Sequence, residues 1–277
     1  MRIRPHALAD AAAFERSLLL YEEHTQNGLR LLARGEGDTQ AICRQGLRFS
    51  IWNACIVLVL GRGEEAALRY FRQALACGLL ALGAPGSKNG LRAYDVLMEV
   101  GDIGSRIIQE HERRSAREPR ILSIADYSGV LEIAACFGDQ RAMEEVARYP
   151  EERYGNPNVI AGEDYYGYLR AWKRLLLRDN EGAKEEMQAA LDEDPQPVPR
   201  KDMEAFVVLL EGDRPAFTAR LEERLNGHKK QYQKQAGNPE GFICLPALML
   251  CRAAIDQGMA VEEWPYVPVR LLPNYRG

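Results

Sequence analysis

The residues best suited to acid–base or metal chemistry are four histidines: His6, His24, His111 and His228. None belongs to an HExxH pair, which would place two imidazoles on one helical face with a carboxylate between them. His24 follows Glu22 and Glu23 in the wrong order, and His111-Glu112 has no second histidine four residues on. No metal site is therefore expected. Ser87 lies in a glycine-rich stretch, GAPGSKNG (83–90), but the spacing is not that of a phosphate-cradling loop and no strand precedes it. Adjacent carboxylates recur from Glu22-Glu23 to Glu262-Glu263. Most fall at predicted helix starts or on polar faces, where they favour the helix dipole or solvation. The six cysteines (43, 55, 77, 136, 244 and 251) sit in apolar helical patterns with no CxxC pair, which predicts buried, reduced thiols. No cofactor is implied.

One spacing has a catalytic counterpart. Arg106 and His111 stand five apart in RIIQEH, on a predicted helix. The pair resembles the ribonuclease motif of the HEPN superfamily, also all-α, although Ile107 stands where that motif usually has a polar residue. The resemblance implies His111 as general acid and base and Arg106 as stabiliser of an RNA phosphate. A solvated basic helix end accounts for the same residues.

A second cluster suits recognition. Tyr149, Tyr154, Tyr165, Tyr166 and Tyr168 share twenty residues with Glu151, Glu152, Glu163 and Asp164. Tyrosine buries a large area at low entropic cost and keeps a polar tip, so tyrosine-rich segments suit protein interfaces. The carboxylates complement a basic partner and speed its capture. Glu151, Glu152, Tyr154, Glu163, Asp164, Tyr165, Tyr166 and Tyr168 are the candidate partner-binding residues. In the alternative, several of the tyrosines pack beneath the loop and the acids solvate it.

These residues are carried by helices. Apolar residues recur at three-to-four spacing from about Leu8 to Ala33, from Asp38 or Thr39 to Leu60, and from Glu64 to Leu82. A further helix is predicted from Leu91 to Glu112. The charged run RRSAREPR (113–120) reads as a connector, and another helix begins at Ser123 or Asp126. Beyond the loop 150–162, the stretch Tyr165–Pro195 reads as a helical hairpin turning at Arg178–Glu181. Pro195, Pro197 and Pro199 interrupt the chain. Helices over Lys201–Leu210, Pro215–Leu225 and Gly241–Gln257 follow, and HKKQYQKQ (228–235) extends the second of these into solvent.

Four turns look alike, at Gly61–Glu64, Gly138–Gln140, Asp179–Gly182 and Gly212–Arg214. Three of the helices that follow carry a small–large–small or similar apolar pattern: Ala67/Phe71/Ala74, Ala142/Val146/Tyr149 and Ala183/Met187/Ala190. These return helices resemble the second helix of a tetratricopeptide repeat, while the first helices and the unit spacing do not. The prediction is an all-α fold, a compact array of packed helical hairpins with an extended C-terminal tail. It forms one domain over 1–277, with a subdivision near 113–120 as the alternative.

Hydrophobic residues make up 46% and charged residues 27% of the 277, with a formal charge of -4 and a pI near 5.8. That balance disfavours nucleic acid and permits a basic protein partner. No apolar run is long enough to span a membrane. Asp10, Glu15 and Arg16 interrupt the opening segment where a signal peptide would be apolar. A soluble, cytoplasmic protein is expected.

The last part of the chain carries the most specific resemblance. GFICLPALMLCRAAIDQGM (241–259), the acidic spacer Val261–Trp264 and PYVPVRLLP (265–273) are similar to the end of bacterial immunity proteins of family forty-nine. Those proteins neutralise toxins of polymorphic-toxin or contact-dependent secretion systems. The likeness is loose over 120–240 and does not reach the first 110 residues. It implies a non-enzymatic bacterial protein that occludes a cognate toxin effector in the cytoplasm. The motif is structural, so it assigns no binding residue. A helical-repeat scaffold with a peptide groove is the second reading, and the oligomeric state is left open.

Overall fold

Ten α-helices make up the described residues of the computed structural model, which are 11–83, 122–154, 162–235 and 237–276. No strand occurs among them, and no helix among them is long and apolar enough to cross a membrane. Their contacts gather into two compact units, one within Leu8–Asn156 and one within Pro157–Gly277. The predicted helix over 91–112, with Arg106 and His111, and the connector 113–120 lie outside the described residues.

The first unit contains α1 (Ala11–Ala33), α2 (Thr39–Val59), α3 (Glu64–Leu82), α4 (Ile124–Phe137) and α5 (Gln140–Ala147). The α2 helix packs on both α1 and α3, and α4 packs on α3. It is apolar nearly all round in its second half, so it occupies the middle: Ala54, Cys55, Ile56 and Val57 are all buried. A Cβ on Gly46 would lie 2.8 Å from the Cys77 sulfur, so glycine there permits the close approach of α2 and α3. Burial pushes the Cys77 thiol up to about 12, which keeps it protonated and inert. Phe71 of α3 stacks on Phe137 of α4 with centroids 4.2 Å apart.

The second unit contains α6 (Glu163–Leu176), α7 (Asn180–Asp192), α8 (Pro197–Leu210), α9 (Arg214–Tyr232) and α10 (Leu245–Asp256). Contacts run from α6 to α7, α7 to α8 and α8 to α9, while α10 packs on α8 and α9. Gly167 lets α6 approach α7, since a Cβ there would lie 2.9 Å from that of Ala190. Trp172 of α6 meets Phe206 of α8 edge-on, with centroids 4.8 Å apart. All nine residues of the small-and-large pattern on the return helices are buried.

Three of the four recurring turns share one chemistry, while the turn before α3 is capped by Gly63 without a side-chain bond. Asp139, Asp179 and Asp213 each cap the helix that follows, accepting from the backbone N–H three residues on at 2.9–3.0 Å. Asp38 caps α2 and Ser123 caps α4 in related ways. Before two of the caps the chain enters left-handed backbone, at Gly212 (φ 74°) and, less comfortably, at Arg178 (φ 66°).

Two helix starts and one stretch expected in solvent differ from expectation. The α8 helix begins at Pro197, four residues before Lys201, because prolines in a first turn give up only N–H groups that have no helical partner. The last helix begins at Leu245, after a 3-10 turn over Pro239–Phe242. The polar run 228–235 is not wholly solvated. His228 is buried, with Nε2 3.2 Å from the Gly241 carbonyl and its ring against Tyr232 and Tyr266. The tail folds back onto the unit: the Cys244 N–H donates to the Tyr266 carbonyl at 2.9 Å, and Val267, Val269, Leu271 and Leu272 are buried.

Inside this unit Arg224 Nε of α9 donates to Asp202 Oδ1 of α8, and both side chains are buried. Burial pushes the Asp202 carboxyl up from 3.8 to about 6, and Arg224 only partly offsets the penalty. A carboxyl with a raised folded-state pKa favours folding fully below its unfolded value and loses that contribution as pH rises through the folded value. Urea titrations should therefore show the wild-type contribution falling between about pH 4 and 6. In Asp202→Leu/Arg224→Met this fall is absent and stability at pH 7 is retained or raised, whereas Arg224→Met alone costs about 3–5 kcal/mol.

Candidate partner-binding surface

The tyrosine-rich cluster divides between the two units, with 155–161 outside the described residues. In the first unit α5 ends at Ala147, and Pro150 leads into a 3-10 turn over Glu151–Arg153. The Leu122 N–H donates to the Arg153 carbonyl at 2.8 Å and fixes that turn to the start of α4. Tyr154 is fully buried, its ring 4.0 Å from that of Tyr127 at an interplanar angle of 2°. Tyr149, also buried, stacks on Tyr127 from 5.7 Å. The Tyr127 hydroxyl donates to the Val146 carbonyl at 2.9 Å, and burial raises its pKa strongly. Three rings thus form a core block beneath the turn. Glu152 and Arg153 are exposed and Glu151 is half-buried.

In the second unit Glu163 and Asp164 occupy the first turn of α6, where negative charge faces the positive end of the helix. Glu163 is exposed and Asp164, Tyr165 and Tyr166 are half-buried. Tyr168 is buried, with its ring 6.1 Å from Tyr165 and edge-on to Trp172. Arg170 bonds both Glu163 and Glu186, and Arg174 bonds both Glu186 and Asp179. This chain of ion pairs ties the entrance of α6 to α7 and to the turn between them. It also neutralises part of the acidic character expected of the cluster. Hydrogen bonds from Arg174 and from the Gly182 N–H hold the Asp179 carboxyl below its usual range.

Of the eight candidate residues, Tyr154 and Tyr168 are therefore core side chains that position their neighbours. Glu152 and Glu163 are exposed to solvent, and Glu151, Asp164, Tyr165 and Tyr166 present part of their surface to it. Sequence reading passed over the buried Asp202–Arg224 pair. Its signal was there, because Arg224 falls on the stripe Phe217, Leu221, Leu225, His228 that faces the core.

Both units are stacked helical hairpins: the first presents a short mixed-charge turn above an aromatic core block, and the second a mixed-charge surface with half-buried tyrosines at the start of α6. The family model described as immunity protein 49 matches residues 99–271, and the chain belongs to that family. No curated protein and no solved structure gives a significant match.

The division between core and surface tyrosines is testable by urea denaturation. Tyr154→Ala removes a ring stacked within the core block and should cost about 3–5 kcal/mol. Tyr166→Ala should change stability by no more than about 0.5 kcal/mol.

Proposed function

We propose that this chain is a non-enzymatic immunity protein that binds a cognate bacterial toxin in the cytoplasm and neutralises it by occlusion. Membership of the immunity protein 49 family carries the reading. The first turn of α6 is the contact we favour, with Glu163 and Asp164 meeting a basic toxin surface and Tyr165 and Tyr166 supplying the apolar area. Glu151 and Glu152 offer a second acidic contact on the other unit. Tyr154 and Tyr168 act from beneath, holding the exposed residues in place.

Half-buried tyrosines suit this role because a rigid ring loses little freedom on binding. The Arg170 bridge to Glu163 and Glu186 further restrains the acidic end of α6, so less ordering remains to be done when a partner arrives.

Co-expression with the product of the adjacent gene is the direct test. A nanomolar complex that abolishes toxicity is the expected result, and no binding to any neighbouring product would sink the reading. Within such a complex, Asp164→Asn/Tyr166→Ala should weaken binding by about 2 kcal/mol or more, roughly 30-fold, while costing the free chain no more than about 1 kcal/mol of stability. Unchanged affinity in that variant would move the contact away from α6.

A further inference from the structure

Among the described residues four large hydrophobic side chains are exposed, and three lie on α1: Leu19 (65%), Leu20 (49%) and Leu31. Single exposed leucines are ordinary, but an adjacent group on one helix is a candidate contact surface. The core-facing stripe of α1 is Phe14, Leu18, Thr25, Leu29 and Leu32. At about 100° per residue the opposite line carries Arg16, Glu23 and Asn27, with Leu19 and Leu20 flanking it on either side. All five are exposed.

On the Leu20 side the apolar surface continues onto α2. Tyr21 stacks on Phe49 at 4.9 Å and touches Trp52 at 5.1 Å, and His24 lies against Phe49. Tyr21, Phe49 and Trp52 are only half-buried. A solvent-facing helix with no partner would more usually carry polar residues at the Leu19 and Leu20 positions.

The order of charges on this face identifies what fits it. About the midpoint between Leu19 and Leu20, Arg16 stands as far to one side as Glu23 does to the other. A second copy of α1 running antiparallel, on a two-fold axis at that midpoint, sets Leu19 against Leu20 and Arg16 against Glu23, each contact occurring twice. A parallel copy in the same register would oppose like charges. We propose that α1 is the interface of a homodimer of this chain, with Leu19 and Leu20 at its centre and reciprocal Arg16–Glu23 ion pairs flanking them. The α1 helix precedes the residues that the family model matches and carries none of the residues proposed to meet the toxin.

Sedimentation of the full chain tests the interface. The wild type should sediment at twice 31.2 kDa at micromolar concentration. Leu19→Glu/Leu20→Glu should weaken the dimer at least about 100-fold, and Arg16→Glu or Glu23→Arg alone at least about 10-fold. The double swap Arg16→Glu/Glu23→Arg should restore association to within about threefold of wild type, since it regenerates both pairs. Circular dichroism checks that each variant keeps its helices. If the leucine variant does not, the three charge variants decide. A wild type that is monomeric throughout the micromolar range overturns the proposal, as does a dimer indifferent to the charge swaps. Loss of toxin binding by Leu20→Glu in a monomeric wild type would assign the face to a different protein and likewise overturn it.

Discussion

An amphipathic helix with one apolar stripe is stable only against a neighbour, and nearly every helix here is of that kind. The chain meets this constraint by pairing successive helices through short turns and then laying one pair against the next. Glycines set how close neighbouring helices come, at Gly28, Gly46, Gly78 and Gly167 among the described residues. Gly46 admits the Cys77 sulfur between α2 and α3, and Gly167 admits Ala190 between α6 and α7. Larger side chains then fill the space these contacts leave, as Met187 does beside Ala190.

The second unit departs from a purely apolar core. Its α9 stripe includes Arg224 and His228, and both are satisfied from other elements: Asp202 on α8 and the Gly241 carbonyl in the turn before α10. The tail completes the arrangement by placing Tyr266 against His228, with its backbone tied to Cys244. Tyr266 adopts left-handed backbone to do so, a conformation that buried contacts must hold in place. The C-terminal segment that resembles the immunity proteins is therefore part of the core it covers.

Much of the fold is legible in the sequence because its signals are local. Asp139, Asp179 and Asp213 mark helix starts, since a cap acts within three residues, and Gly83 marks a stop by its left-handed backbone. The start of α8 is misread for the opposite reason: three alternating prolines look like a break unless their place in a first turn is known. Tyr154 is a harder case. Nothing beside it in the chain distinguishes a ring that reaches solvent from one that stacks on Tyr127, because the partner belongs to another helix. Glu163 is neutralised in part by Arg170, two turns further along its own helix, and Arg170 is itself held by Glu186 of α7, which nothing near Glu163 in the chain announces. Arg106 and His111, which carried the ribonuclease reading, fall outside the described residues.

The aspartate-capped turns also bear on how quickly this architecture assembles. Each cap joins atoms only three residues apart, and each hairpin closes over a short stretch of chain. Closing a short loop sacrifices little configurational freedom, and chains dominated by such contacts reach their native state faster than those waiting on distant pairings. Within each unit the hairpins can thus form as local nuclei. The slower step is left to contacts such as Tyr266 on His228, which bring together elements separated by a whole helix.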